Sequence, residues 1–440
     1  MTSALIRSSD ARRFDIRCDV GDAVVANLAV NIVLFYERHL DIDVLAGAFA
    51  RALAKFPIFD GRLSVVRGAM RIRCAGKGVP FTAATSDLTL CEAIRAAAVD
   101  DGLWLVDAVD GVTARWGLGP LCRVRVTHLS DDSTAIGFSW HHAIGDMQTV
   151  VHFMNAWAAA ATGQPIVEPL IVEDRPGHLT RHLPPEDARQ PGVRCMGLAE
   201  TARIAYHLAR QAPRQRTLTL YFGDDEIARM RRVYGTRMSL TANDVVCAHI
   251  AEALMAADPD VDRRTLSITV NARHRCGLDP MLAGNIITTL NVDLRRGDDA
   301  EAIAERIRHG VDHFVDEHCD IRTNQRFLDR AGWWRGLRCV SNAVDPSRWN
   351  PVVTNLSSFG LYRIPFENTV ATYCTMLMVA PVPGLGALIN GVDGHGLVFQ
   401  MALPPKEFHA MTAPAVQDQL HRFASAADPM PRLHGKIHVP

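Results

Sequence analysis

Thr134-Ala135-Ile136-Gly137-Phe138-Ser139-Trp140-His141-His142-Ala143-Ile144-Gly145-Asp146-Met147 changes its apolar period within a few residues, and that change organises the reading of the chain. Up to Trp140 the apolar residues alternate, at Ile136, Phe138 and Trp140, which predicts a half-buried strand. From Met147 onward, Val150, Val151, Met154, Trp157, Ala158 and Ala161 recur at helical spacing, and Thr162-Gly163 supplies a stop. His141 and His142 therefore fall on a short connection. Gly145 can take backbone geometries that other residues resist, and Asp146 is placed to cap the helix. A histidine on an anchored loop can face a cavity and titrates near neutrality, so His142 is a candidate general base; spacing alone leaves open a surface or satisfied core pair.

Working outward, residues 164–215 hold seven prolines, Pro165, Pro169, Pro176, Pro184, Pro185, Pro191 and Pro213, and lose helical periodicity between residues 173 and 191. This stretch reads as a crossover with one helix inside it over Leu198–Gln211. It divides the chain into 1–165, a linker at 166–215, and 216–440. After it, residues 217–221 and 266–270 read as strands, and Asp224–Tyr234 and 243–256 as helices. Gly391-Val392-Asp393-Gly394-His395-Gly396 predicts a hairpin turn before a strand from Leu397. Gly384-Leu385-Gly386 lacks the third glycine of a dinucleotide fingerprint, and there is no P-loop.

Composition bounds the class. With 440 residues, 48% hydrophobic, the chain can bury one or two substantial cores, and its net charge of −1 argues against sequence-wide attraction to nucleic acid or anionic membrane. Only Lys55, Lys77, Lys406 and Lys436 are lysines, and the arginine bias reads as a GC-rich bacterial genome. Ten cysteines without a CxxC pair signal no metal site and suit cytosolic thiols. Cys247 and His249 lie close in sequence, but their pattern fits a buried helix face better than a thiol nucleophile. Residues 1–18 lack the apolar centre of a signal peptide, and residues 24–35 are too short to span a bilayer, so a cytoplasmic protein with no membrane span is expected.

His141-His142-Ala143-Ile144-Gly145-Asp146 resembles the HHxxxD signature of BAHD-type acyltransferases within the chloramphenicol acetyltransferase-like and condensation-domain superfamily. Further ordered matches support the likeness. Leu34-Phe35-Tyr36 and the segment from Leu45 to Phe56-Pro57-Ile58-Phe59-Asp60-Gly61-Arg62-Leu63 are similar to the family's amino-terminal strand, helix and "GRL" segment. Asn271-Ala272-Arg273-His274-Arg275 with Gly284-Asn285 resembles its "NxRxR…GN" region, and Val353-Thr354-Asn355 with Phe359-Gly360-Leu361-Tyr362 its "TSW…lY" segment. Where the family has DFGWG, this chain reads Arg363-Ile364-Pro365-Phe366-Glu367-Asn368-Thr369 and keeps only the phenylalanine. Leu240-Thr241-Ala242-Asn243-Asp244 looks closer to the matching helix start of wax ester synthases.

The resemblance implies an α/β architecture: two similar chloramphenicol acetyltransferase-like domains with an active-site channel between them. It implies transfer of an acyl group from acyl-CoA, a cosubstrate and not a bound cofactor, to a hydroxyl or less readily an amine of a small specialised metabolite. His142 then acts as base, while Asp146 is structural and pairs with Arg273 of the second domain; the bland reading of Arg273 is a solvated surface residue. Thr354 matches the residue that donates to the oxyanion, with an ordinary strand threonine as the alternative. Ser239 and Thr241, with Arg231, Arg232 and Arg237 nearby, are candidates to meet coenzyme A phosphates. Two alternatives stand beside this reading: an acyltransferase of condensation or wax-ester-synthase type fed by an acyl carrier protein, and a noncatalytic acyl-binding or scaffold protein.

Overall fold

The computed structural model of the protein describes residues 1–8, 13–66, 69–98, 102–183, 190–211, 214–343, 349–378 and 382–425. Twelve strands build two large sheets. In chain order they are β1 (Thr2–Ile6), β2 (Ala29–Tyr36), β3 (Val79–Thr85), β4 (Cys122–His128), β5 (Thr134–His141), β6 (Arg216–Phe222), β7 (Arg263–Asn271), β8 (Ile287–Arg295), β9 (Val352–Asn355), β10 (Tyr373–Met376), β11 (Leu385–Asn390) and β12 (Leu397–Leu403). One sheet runs β1-β3-β4-β5-β2-β10 and the other β6-β12-β11-β9-β7-β8.

Helices α1 (Ile42–Lys55) and α2 (Met147–Ala161) cover the first sheet. Phe49, Phe138, Phe153 and Trp157 interlock there, with Phe49 and Trp157 ring centroids 4.9 Å apart. Each such side chain contributes about 1.5–3 kcal/mol by leaving water. Phe366, the one residue kept from the DFGWG pattern, joins this core edge-on to Trp157 at 4.8 Å. The second sheet packs against α3 (Ala242–Ala257) and α4 (Ala300–Asp312).

The expected change of period is present, with one correction. β5 is buried along its whole length and not on one face only. On its second face Ala135 and Gly137 meet a further apolar layer that includes Leu105 and Val106, and Ser139 Oγ accepts from the Val109 N–H at 2.8 Å. A Cβ on Gly137 would lie 2.0 Å from the Leu105 carbonyl oxygen, so the residues that broke the apolar alternation are small because backbone packs directly on them. In the crossover, Leu198–Gln211 is helical as read, but Arg175–His182 is helical too. Pro176 is tolerated there because it stands in the first turn, where its missing N–H leaves no bond unmade.

The chain passes between the sheets more than once. β10 follows β9 of the second sheet yet completes the first, Tyr373 opposite Phe35 and Met376 opposite Ile32, antiparallel to β2. β11 and β12 then lie in the second sheet, joined by a turn in which Asp393, Gly394 and Gly396 have positive φ, the hairpin expected from the glycines.

Candidate active site

β5 ends at His141, and a single 3-10 turn over His142–Ile144 carries the chain to Asp146. His141 is fully buried: its Nδ1 accepts from the Ala143 N–H at 3.1 Å, and its Nε2 donates to the Gly111 carbonyl at 3.1 Å. Burial pushes its pKa down to about 4, opposed by the bond to Gly111, so it is a neutral structural member of the loop. His142 is held by a 2.9 Å bond from its backbone N–H to the Leu28 carbonyl. Its ring Nδ1 lies 2.9 Å from Asn285 Oδ1, across from the other half of the molecule. Burial lowers its pKa too and so favours the neutral ring, opposed by a hydrogen bond to its own backbone and by the charge of Asp146.

The protonation pattern of that ring follows from its neighbours. Asn285 Nδ2 donates to the His142 carbonyl at 2.7 Å and to Asp22 Oδ1 at 2.9 Å. A flipped amide would set oxygen against two oxygens, so Oδ1 must face the imidazole, where it can only accept. His142 therefore carries its proton on Nδ1, and Nε2 keeps a lone pair.

Asp146 and Arg273 meet across the two halves as a side-on pair: Nη1 donates to Oδ2 at 2.6 Å and Nη2 to Oδ1 at 3.0 Å. Both are buried, at 4% and 1% exposure. The carboxylate also accepts from the N–H groups of Thr149 and Ile286, both at 3.1 Å, so Asp146 caps α2 and anchors the second half at once. Arg273 further donates to the carbonyls of Leu282 and Gly284, which satisfies a guanidinium held out of water.

A second buried arginine closes on the same loop. Arg175, from the crossover helix, donates through Nη1 to both oxygens of Asp22 at 2.9 Å and to the Ala143 carbonyl at 3.3 Å, and through Nη2 to the Ile144 carbonyl at 3.1 Å. Asp22 sits in the short helix Val20–Val24, where it exchanges backbone bonds with Asp19. Burial, with the charge of Asp22 beside it, pushes Asp19 up to about 8.

The remaining candidates lie outside this network. Thr354 is in β9, a strand that leads from Val353 in the second core to Leu356 in the first. Thr241 is the N-cap of α3, its hydroxyl accepting from the Asp244 N–H at 3.3 Å, and Ser239 is exposed just before it. Arg231 donates to the Leu240 carbonyl at 2.7 Å, and Arg237 reaches Glu305 at 3.4 Å. Cys247 and His249 are buried in α3, where His249 bonds Tyr234 and the Leu420 carbonyl. A surface depression of about 410 Å³, with Arg13, Arg73 and Lys77 on its wall, holds none of the expected residues; the site is located by its hydrogen bonding. Asp22 and Arg175 were not singled out from sequence. The Asp19-Val20-Gly21-Asp22 spacing of a capping box could have marked the first, whereas nothing distinguishes Arg175 from the other arginines.

Among the described residues, no helix is long and apolar enough to cross a membrane. A family model described as the Transferase family matches residues 18–366. A hydroxycinnamoyltransferase of Narcissus pseudonarcissus is 30% identical over 162 residues, covering 34% of this chain and 36% of the relative, so the match spans about a third of each. Vinorine synthase superposes with a TM-score of 0.71 at 18% identity, covering 93% of this chain and 95% of its own. F. sporotrichioides TRI101 complexed with coenzyme A and T-2 superposes with a TM-score of 0.72 at 12% identity, covering 92% and 98%. The curated relative is from a plant, so the bacterial source expected from the arginine bias draws no support from it.

Proposed function

Because the chain belongs to the Transferase family of BAHD-type acyltransferases and has their two-domain chloramphenicol acetyltransferase-like fold, we propose that it moves an acyl group from acyl-CoA to a hydroxyl, less readily an amine, of a small specialised metabolite. The observation that carries this reading is the Asn285 amide, which leaves His142 Nε2 as an acceptor on a ring that burial keeps neutral. An imidazole in that state can take a proton at physiological pH.

In the proposed reaction the acceptor hydroxyl attacks the thioester carbonyl while His142 Nε2 takes its proton. The carbonyl oxygen becomes an oxyanion, to which the Thr354 hydroxyl donates. Collapse of the tetrahedral intermediate breaks the carbon–sulfur bond, and the departing coenzyme A thiolate recovers the proton from the imidazolium. Charge develops on the oxyanion and the ring together, so a fixed donor and a fixed base are the contributions required of the protein. Asp146 and Arg273 hold the loop and do not exchange protons with substrate. Ser239 and Thr241 remain the candidates for the nucleotide side. We place the substrates in a channel between the halves 1–165 and 216–440, joined by the crossover 166–215, with β10 lent by the second half to the first sheet.

Membership of the Transferase family, with a relative named for a hydroxycinnamoyl-CoA donor, supports free acyl-CoA as donor over a carrier-bound thioester. The test is turnover of a panel of acyl-CoAs, hydroxycinnamoyl thioesters among them, with mass detection of products. His142→Ala is expected to lower the rate by roughly 10²- to 10⁴-fold in a folded protein. Since burial lowers the pKa of His142, kcat/KM is expected to stay level through neutral pH and to fall only below the ordinary histidine value of 6.5. Near-unchanged turnover in folded His142→Ala would sink the base; transfer from a carrier protein alone would sink the coenzyme A donor.

A further inference from the structure

The geometry points to Arg175 as a positioning residue for the base: from the crossover it fixes both the place of the His142 loop and, through Asp22 and Asn285, which ring nitrogen is free. The inference rests on His142 being the base of the proposed reaction.

Asp22, Arg175 and Asn285 are 0%, 1% and 1% exposed, so each must find its partners inside the protein. Asp22 divides its oxygens: Oδ1 accepts from Arg175 and from Asn285 Nδ2 at 2.9 Å each, and Oδ2 accepts from Arg175 at 2.9 Å and from the Asp19 N–H at 3.0 Å. The carboxylate thus accepts the amide only at its NH₂ end, and the amide oxygen is left to His142 Nδ1. Without Arg175 the aspartate would be a stranded anion, would take up a proton, and could then present a donor to Asn285. The amide would then be held in its orientation by the His142 carbonyl alone, 2.7 Å from Nδ2, and the single tautomer of the ring would be less firmly fixed. The other half of the guanidinium works on backbone, bonding the carbonyls of Ala143 and Ile144 directly after the base.

Two glycines show how closely these parts are fitted. A Cβ on Gly21 would lie 2.6 Å from the Asn285 carbonyl oxygen, and one on Gly284, whose φ is +148°, would lie 3.2 Å from the Arg175 guanidinium carbon. The side chains of the array come from the Val20–Val24 helix, the crossover helix, the catalytic loop and the second half, so no one segment can shift without disturbing the ring.

The test is nitrogen NMR of histidine-labelled protein between pH 5 and 9, beside steady-state kinetics. In the unsubstituted protein His142 is expected as a single neutral tautomer with the proton on Nδ1. In Arg175→Met, and in Asp22→Asn, it is expected as a mixture of tautomers, with kcat lower by about 10- to 100-fold, the range for partners that orient a working histidine, and KM for acyl-CoA unchanged. Arg175→Lys keeps the charge but cannot reach Asp22 and both carbonyls together, so it should restore the tautomer only in part. If Arg175→Met does not fold, Arg175→Lys and Asp22→Asn carry the readout. An unaltered Nδ1–H tautomer and pH profile in the folded variants would overturn the inference. Because the tautomer is read without turnover, that result is distinct from failure of the base assignment, which His142→Ala reports.

Discussion

Two buried arginine–aspartate clamps meet at Gly284, and they do different things with the same chemistry. On one side Arg273 donates to the Gly284 carbonyl at 2.9 Å and also to Asp146, Asn271, Thr149 and the Leu282 carbonyl. On the other, the Arg175 guanidinium packs where a Gly284 side chain would be. Asp146 is a terminus: every bond to its carboxylate comes from a group that holds the loop or the second half in place. Asp22 is a junction, taking charge from Arg175 on one side and orienting the Asn285 amide on the other. A buried ion pair can therefore serve as an anchor or as a director, and the deciding feature is what its carboxylate orients: Asp146 holds the Thr149 hydroxyl at 3.1 Å, which meets the Gly284 backbone, whereas Asp22 holds the Asn285 amide, which meets the His142 ring.

That contrast can be broken first at Arg273. Replacing it with Gln strands a buried aspartate and is expected to cost about 3–5 kcal/mol in denaturant unfolding, with activity falling in parallel. Combined with Asp146→Asn, the two changes should be strongly non-additive; simple additivity would mean that the contact carries no energy. A smaller effect is expected at the wall between the clamps. Gly284→Ala places a side chain at positive φ against Arg175 and should cost about 1–3 kcal/mol, with kcat reduced while the Asp146–Arg273 coupling energy stays the same. Equal loss of both clamps would show that they act as one unit. The smallest effect belongs to an exposed pair. Arg237, 73% exposed and 3.4 Å from Glu305, should change stability by under about 1 kcal/mol when made Ala. A raised KM for acyl-CoA in that variant would place it on the nucleotide side, and an unchanged one would remove it.

What was legible in the sequence was what repeats along it. The period of two before Trp140 and the helical period after Met147 located β5, the loop and α2. The burial of both faces of β5 was not legible, because Gly137 and Ser139 look like the polar side of a strand until the backbones of Leu105 and Val109 lie against them. Asp146 drew attention through its motif, and Arg273 only through a family resemblance, since their separation in sequence carries no local signal. Arg175 had neither. It is one arginine among many, in a segment whose prolines spoke against a helix, and its value comes from carbonyls and a carboxylate that only the folded chain assembles. Asn285 was visible as a residue but not as the group that orients a ring, because the direction of an amide depends on two acceptors remote from it in sequence.

The return of β10 to the first sheet bears on how the protein is made. β2 is flanked by β5 early in synthesis, but its other edge is closed only by residues 373–376. While the second half is being translated, the N–H and C=O groups on that edge are without the strand that pairs them in the finished molecule. Such an edge is a template for pairing with another chain. The order of synthesis thus leaves the first half with a period of vulnerability that ends when β10 emerges. Its length is set by the more than three hundred residues that separate the two strands, and the late, long-range closure belongs to the class of contacts that fold slowly.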